Sequence, residues 1–155
     1  MAYKEISNIV VEGAEIAFRN FSGRGSVYNK EGDRNFSVIF RDEDLAQKLL
    51  ADGWNIKMLQ PRDNEDVVRY HLPVAVNYNN VPPTVFMVTK RNKTLLDAST
   101  VEVLDYAEII HIDLTVTPYQ WSMPTGQSGV KAYLKTMYVT IEEDEFAHKY
   151  ENFEQ

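Results

Sequence analysis

Cysteine is absent from the 155 residues. That excludes disulfides, thiolate nucleophiles and cysteine-ligated zinc or iron–sulfur centres, and it suits a reducing compartment. Histidine is scarce: His71, His111 and His148 are the whole set, and none has a partner at metal-ligand spacing. No apolar run approaches the roughly 18–20 residues that span a bilayer. The start, MAYKEISNIVVEG, lacks the charged-then-apolar pattern of a secretory signal, so a cytoplasmic location is expected. No repeat and no low-complexity linker interrupts the chain. With 44% hydrophobic residues, the length suits one domain with a full core.

The net charge is −7, which at first argues against a polyanionic ligand. The charge is segregated, however. Residues 14–41 carry five positive and three negative side chains, residues 67–94 four positive and none negative, and residues 114–141 two positive and none negative. The acid lies in residues 42–66, 95–113 and 142–155. A ligand feels the local field within a Debye length of about 8–10 Å, so the basic stretches are what matter to it.

Alternation of apolar and polar residues, with β-branched and aromatic enrichment, recurs along the chain and predicts mostly strands. A strand beginning at Ile9 and running toward Phe21 is followed by a loop over 22–33 with three glycines and a second strand over 34–40, a long-looped hairpin. Asp42 is a good N-cap; Leu45, Ala46, Leu49 and Leu50 share a face, and Gly53 closes the helix. Strands are expected over 54–59, 67–78 and 84–90, with a polar turn at 60–66, a bend at 81–83 and a basic turn at 91–93. Ser99 or Thr100 caps one helical turn through Asp105. Strand 108–119 should point Ile110, Ile112, Leu114 and Val116 inward and His111, Asp113, Thr115 and Thr117 outward. Its partner, 130–141, follows a loop over 120–129. Phe18, Phe40, Trp54, Phe86 and Tyr138 are expected in the core. The fold class is therefore all-β with one or two short helices, a small Greek-key barrel or sandwich, and closure of a barrel hides strand edges economically.

Catalysis has little support. Asp97, Glu102, Asp105, Glu108 and Asp113 fit no calcium loop, although a metal-dependent nuclease built on them is one alternative. No cofactor and no metal is expected, and the protein reads as non-enzymatic. Another alternative is a β-rich structural or interaction module without DNA affinity.

A single-stranded ligand has better support. Lys131, Tyr133 and Lys135 alternate, so they project from one strand face while Ala132 and Leu134 point the other way. Ammonium groups neutralise phosphates, and a ring stacks on any base. Met137, Val139 and Ile141 keep the same parity yet are apolar, so either the strand end tucks under other structure or a bulge shifts the register. The first hairpin interleaves Arg19, Phe21, Arg24, Tyr28, Lys30, Arg34 and Phe36. Lys90 and Arg91 add charge, and Tyr119 and Trp121 stand at the last loop. Phosphate contacts are assigned to Arg19, Arg24, Lys30, Arg34, Lys90, Arg91, Lys131 and Lys135, and stacking to Phe21, Tyr28, Tyr119, Trp121 and Tyr133. The division expected is a binding domain over 1–141 and an acidic tail over 142–155. In that tail Glu142, Glu143, Asp144, Glu145, Phe146 and Phe153 form a partner-binding segment able to compete for the basic groove.

The segments GVKAYLKTMYVTIEEDEF (129–146), AEIIHIDLTVTPYQW (107–121) and RNFSGRGSVYNKEGDRNFSV (19–38) resemble a family of small bacteriophage single-stranded DNA-binding proteins with an OB-like fold. The resemblance extends over most of 10–150. It implies an OB-fold-like barrel whose loops 22–33 and 120–129 face the oligonucleotide. It also implies a role in phage DNA replication or recombination in the cytoplasm of the bacterial host. Replication or recombination proteins are then the expected partners of the tail, and a homo-oligomer is compatible with the pattern.

Overall fold

The structure, a computed structural model, describes residues 5–61, 68–79 and 81–143. The chain runs β1 (Ile9–Glu12), β2 (Glu15–Asn20), β3 (Arg34–Phe40), α1 (Glu43–Ala51), β4 (Lys57–Leu59), β5 (Arg69–Val76), β6 (Thr84–Val88), β7 (Lys93–Leu96), a 3-10 helix (Val101–Asp105), β8 (Ile109–Ser122) and β9 (Ser128–Ile141). Neighbouring strands follow the order β1-β8-β9-β5-β3-β2. That path begins and ends on two halves of one segment, bent at Gly13, whose φ of 65° suits glycine. One half pairs β8 and the other pairs β3, so the sheet curls back on itself as a barrel. It is mixed, because β9 runs parallel to both β5 and β6.

Inside lie Phe36, Leu72, Val74, Val85, Ile112, Met137 and Val139, together with Trp54, Val101 and Leu104 from outside the strands. Phe40 and Trp54 are core, as expected. Asp42 caps α1 by accepting from Leu45 N at 3.1 Å. The helix buries Ala46 and Leu49 and leaves Leu45 and Leu50 exposed, a narrower apolar stripe than its sequence suggests.

Two bulges account for most departures from simple alternation. Thr115 pairs Thr136 while Val116 pairs Leu134, so Lys135 is an extra residue in β9. Before it, Ala132 and Leu134 point inward; after it, Met137 and Val139 do. The conflict of parity in this strand is thus resolved by a bulge. In β8, Ile109 pairs Ile141 and His111 pairs Thr140, which makes Ile110 the extra residue. It is exposed rather than inward. Tyr138 is likewise surface-facing, stacked on the half-buried Phe86 at 5.3 Å between ring centroids, so this pair leaves the expected core list. Phe18 leaves it too: its φ is 55° and its side chain is exposed.

Other boundaries also move. Strands β8 and β9 extend into the segment read as a loop, leaving only residues 123–127 as the turn. The basic turn is followed at once by β7, which the alternation does not announce. Thr100 makes no side-chain cap to the 3-10 helix; it donates instead to Asp97. Most of the polar turn at 60–66 lies outside the described residues, as do Asp144, Glu145, Phe146 and Phe153 of the tail.

Candidate nucleic-acid interface

Residues directly opposite across an antiparallel pair share a face. Trp121 opposes Gly129, Tyr119 opposes Lys131, and Thr117 opposes Tyr133, so Trp121, Tyr119, Lys131 and Tyr133 stand together on the outer face of β8 and β9. Tyr119 meets Tyr133 edge-on at 6.1 Å. The Lys131 ammonium sits 5.2 Å from the centre of the Tyr133 ring. Tyr133 is also the register partner of Ala75 on β5, which extends the face across the parallel junction.

A cleft of about 650 Å³ opens here, floored by residues 73–79 of β5 and its continuation and walled by Trp121, residues 128–133, Trp54 and residues 32–35. Its polar edge is Arg34, which donates to Ala98 O at 3.0 Å and lies 5.6 Å from the centre of the Tyr78 ring. Arg34 Nε and Tyr78 Oη are buried without a hydrogen-bond partner. Burial raises the Tyr78 phenol above its ordinary pKa of 10.0, against the pull of Arg34 and with Asp97 reinforcing the rise. The phenol therefore stays a neutral donor. Flat rings, a guanidinium, an ammonium and orphan donors around an open cleft suit bases and phosphates of an unpaired strand.

The family model described as "Putative phage ssDNA-binding domain" matches residues 1–155. The chain belongs to that family. Members of this phage single-stranded DNA-binding family bind rather than catalyse, in keeping with the non-enzymatic reading. Its fold is similar to that of a single-stranded DNA-binding protein from bacteriophage Enc34 solved in complex with ssDNA, at 12% identity and a TM-score of 0.56, covering 90% of this chain and 89% of that one. A C-terminally truncated form of the Enc34 protein gives 9% identity, a TM-score of 0.55 and coverage of 88% and 87%. The fold is thus that of OB-like phage proteins. No curated protein matches the sequence.

The remaining predicted residues of this phage domain divide into three groups. Arg24, Tyr28 and Lys30 sit on the 22–33 loop, which is held together internally. Asn29 Nδ2 donates to the carbonyls of Arg24, Lys30 and Asp33, and Asn20 Oδ1 accepts from Arg24 N. This leaves the Tyr28 ring 97% exposed at the tip, a platform without a wall. Lys90 and Arg91 lie in the turn after β6, whose last residue, Val88, partners Thr140. That is seven residues along β9 from Tyr133, about 23 Å at ~3.3 Å per residue. Lys135 is exposed on the bulge between.

Two predicted contacts are corrected. Phe21 is fully buried and stacks on Phe36 at 5.2 Å, so it belongs to the core and offers no face to a base. Arg19 donates from Nη1 to both Leu104 O and Ala107 O at 2.9 Å, fastening β2 to the 3-10 helix. Its guanidinium is a structural clamp.

Three carboxylates of the acidic stretch 95–113 are likewise committed to structure. Asp105 accepts from Phe21 N at 2.6 Å and Ser22 N at 3.1 Å. Asp113 accepts from Gly13 N and faces His111 Nε2 at 2.9 Å. Asp97 accepts from Ser99 and Thr100, and these hydrogen bonds, Ser99 first, hold its carboxyl below the ordinary value. Among the described residues, no three histidines or carboxylates converge to hold a metal. Three of the five carboxylates of the nuclease alternative, Asp97, Asp105 and Asp113, are thus engaged with backbone amides, hydroxyls or His111.

Sequence reasoning named Lys93 beside Lys90 and Arg91 but missed Asn35 and the surface group in which Lys93 Nζ lies 4.8 Å from the centre of the Phe86 ring that stacks on Tyr138. The alternation of Thr136, Tyr138 and Thr140 would have revealed it once the bulge at Lys135 was known.

Proposed function

We propose that this protein binds single-stranded DNA without sequence preference, along the outer face of β8, β9 and β5. Trp121, Tyr119 and Tyr133 stack bases, while Lys131, Arg34 and the loop cations Arg24 and Lys30 neutralise phosphates. Lys135, Lys90 and Arg91 extend the positive field toward the far end of β9. The reading rests on one observation above all: three aromatic rings and an ammonium share one face beside an open cleft. Because rings and phosphates are common to every sequence, this chemistry does not select among bases. Family membership supports the same ligand.

In this reading the binding domain spans 1–141, and the acidic segment 142–155 competes with DNA for the groove, yielding it to replication or recombination proteins of the host cytoplasm. The decisive measurement is titration of labelled oligo-dT at rising salt. Affinity should fall steeply as counterions are released, with a slope of about −0.7 per phosphate contacted. Absence of binding at low salt overturns the proposal. Deleting residues 142–155 should tighten binding; weaker binding with lost stability would assign the tail a structural role instead.

A further inference from the structure

Phe18 has an unusual backbone conformation. Among the described residues it is the one non-glycine position with positive φ, at 55°, a conformation costing roughly 1–3 kcal/mol. Register shows what the distortion does. Ile16 pairs Val38 on the core side, and Ala17 pairs Ser37 on the outer side, so simple alternation would send Phe18 inward. Pairing then slips between Ala17 and Asn20, and the ring emerges outside, 62% exposed. A large apolar side chain has been turned out of the barrel at a conformational cost.

Its surroundings resemble those of the cleft. The ring meets His71 edge-on at 5.6 Å. His71 is fixed in turn by Ser37 Oγ at 3.0 Å from Nδ1, and Ser37 is buried. Lys57 on β4 is the register partner of His71 and is exposed. His71 lies on β5 two residues before Pro73, where the cleft floor begins, and four residues before Ala75, the partner of Tyr133. Along the outer face of β5, His71, which carries the Phe18 ring, and Ala75, beside Tyr133, are about 13 Å apart at ~3.3 Å per residue. A path that includes both ends stays within the roughly 4–16 nucleotides that an OB fold occupies.

We infer that Phe18 is a second base-stacking platform for single-stranded DNA, with Lys57 as its phosphate contact, at the opposite end of the β5 face from Tyr133 and Trp121. The inference rests on the proposed function and extends the DNA path beyond the cleft. The left-handed backbone serves to present the ring, and His71 with Ser37 holds it edge-on so that one face stays open to a base.

Phe18→Gly separates this role from a structural one, because glycine adopts positive φ without penalty. The variant should keep or raise the thermal midpoint. Binding is measured well below that midpoint with an oligo-dT ladder covering the roughly 4–16 nucleotides that an OB fold occupies. Affinity for the long oligonucleotides should fall about 5- to 150-fold, the loss of one stacked base, while the shortest, confined to the cleft, bind as before. Phe18→Tyr, which keeps the ring, should retain affinity. Lys57→Gln should reduce the salt slope by about 0.7 on long oligonucleotides alone. Unchanged affinity of Phe18→Gly for long oligonucleotides overturns the inference and leaves the cleft reading intact. So does an equal loss at every length, or a lowered midpoint with DNA binding unaltered, which would make the ring a cover for His71. A wild-type chain that binds none of the ladder overturns both readings.

Discussion

Trp121 lies flat across Gly129: a β-carbon on that glycine would come within 2.9 Å of the indole ring. The glycine is required by close approach rather than by backbone conformation, and it sets the ring against β9 as the outer wall of the cleft. Gly129→Ala should therefore push the indole outward. Because Trp121 is on the surface, the fold should tolerate the change with little loss of stability. Single-stranded DNA affinity should drop by about 1–3 kcal/mol if the stacked base is lost. Tryptophan fluorescence and oligo-dT titration check the two halves of this expectation.

Tyr133 and Lys131 are neighbours in space with separable roles. Tyr133→Ala removes a stacking surface and should cost about 1–3 kcal/mol of binding at any salt, with the edge contact to Tyr119 costing about 0.5–1.5 kcal/mol of stability. Lys131→Gln should instead lower the slope of log K against log salt by about 0.7, the contribution of one single-strand phosphate. Titrations at four or five salt concentrations distinguish an intercept change from a slope change.

Arg19 and Arg24 are close in sequence and opposite in consequence. Arg19→Ala leaves the Leu104 and Ala107 carbonyls without their donor, and a hydrogen bond to a charged group contributes about 1.5–3 kcal/mol. Urea unfolding should show a loss of that size, with DNA binding by the folded fraction unchanged. Arg24→Ala should do the reverse, sparing stability and weakening binding at low salt.

His71 introduces a pH dependence whose sign is fixed by its surroundings. Burial, and secondarily the Lys57 charge, hold its pKa below the ordinary 6.5. The unfolded chain therefore takes up a proton before the folded one as pH falls. Its contribution is complete above pH 6.5 and diminishes as pH falls below that value toward the folded pKa. His71→Gln should flatten this part of a plot of thermal midpoint against pH, and a variant that keeps the wild-type slope would place the titrating group elsewhere.

Much of the chain's design can be read directly from its residues. Segregated charge and the alternation of Lys131 with Tyr133 mark the face, and the Asp42 cap marks the helix, because each depends on neighbours a few positions away. The errors fall where one extra residue changes phase. Lys135 and Ile110 are single-residue bulges, and after each one every side chain turns to the other side. Alternation alone therefore puts Tyr138 and Ile110 on the wrong face, although their residue types read correctly. Phe18 and Phe21 show the same limit: each follows a cationic or aromatic pattern, yet a positive φ turns one out and the Asp105 anchor and Phe36 stack hold the other in.

The sequence by itself determined a cysteine-free β domain with its net positive charge in three stretches, and it picked out Tyr119, Trp121, Lys131 and Tyr133. Tertiary structure alone decided that β5 would lie parallel beside β9, bringing Ala75 to Tyr133 and making Arg34 and Tyr78 part of the same cleft. Pairing between strands more than fifty residues apart in the chain depends on how the whole barrel closes and on where its bulges fall, and no local pattern of residues encodes either.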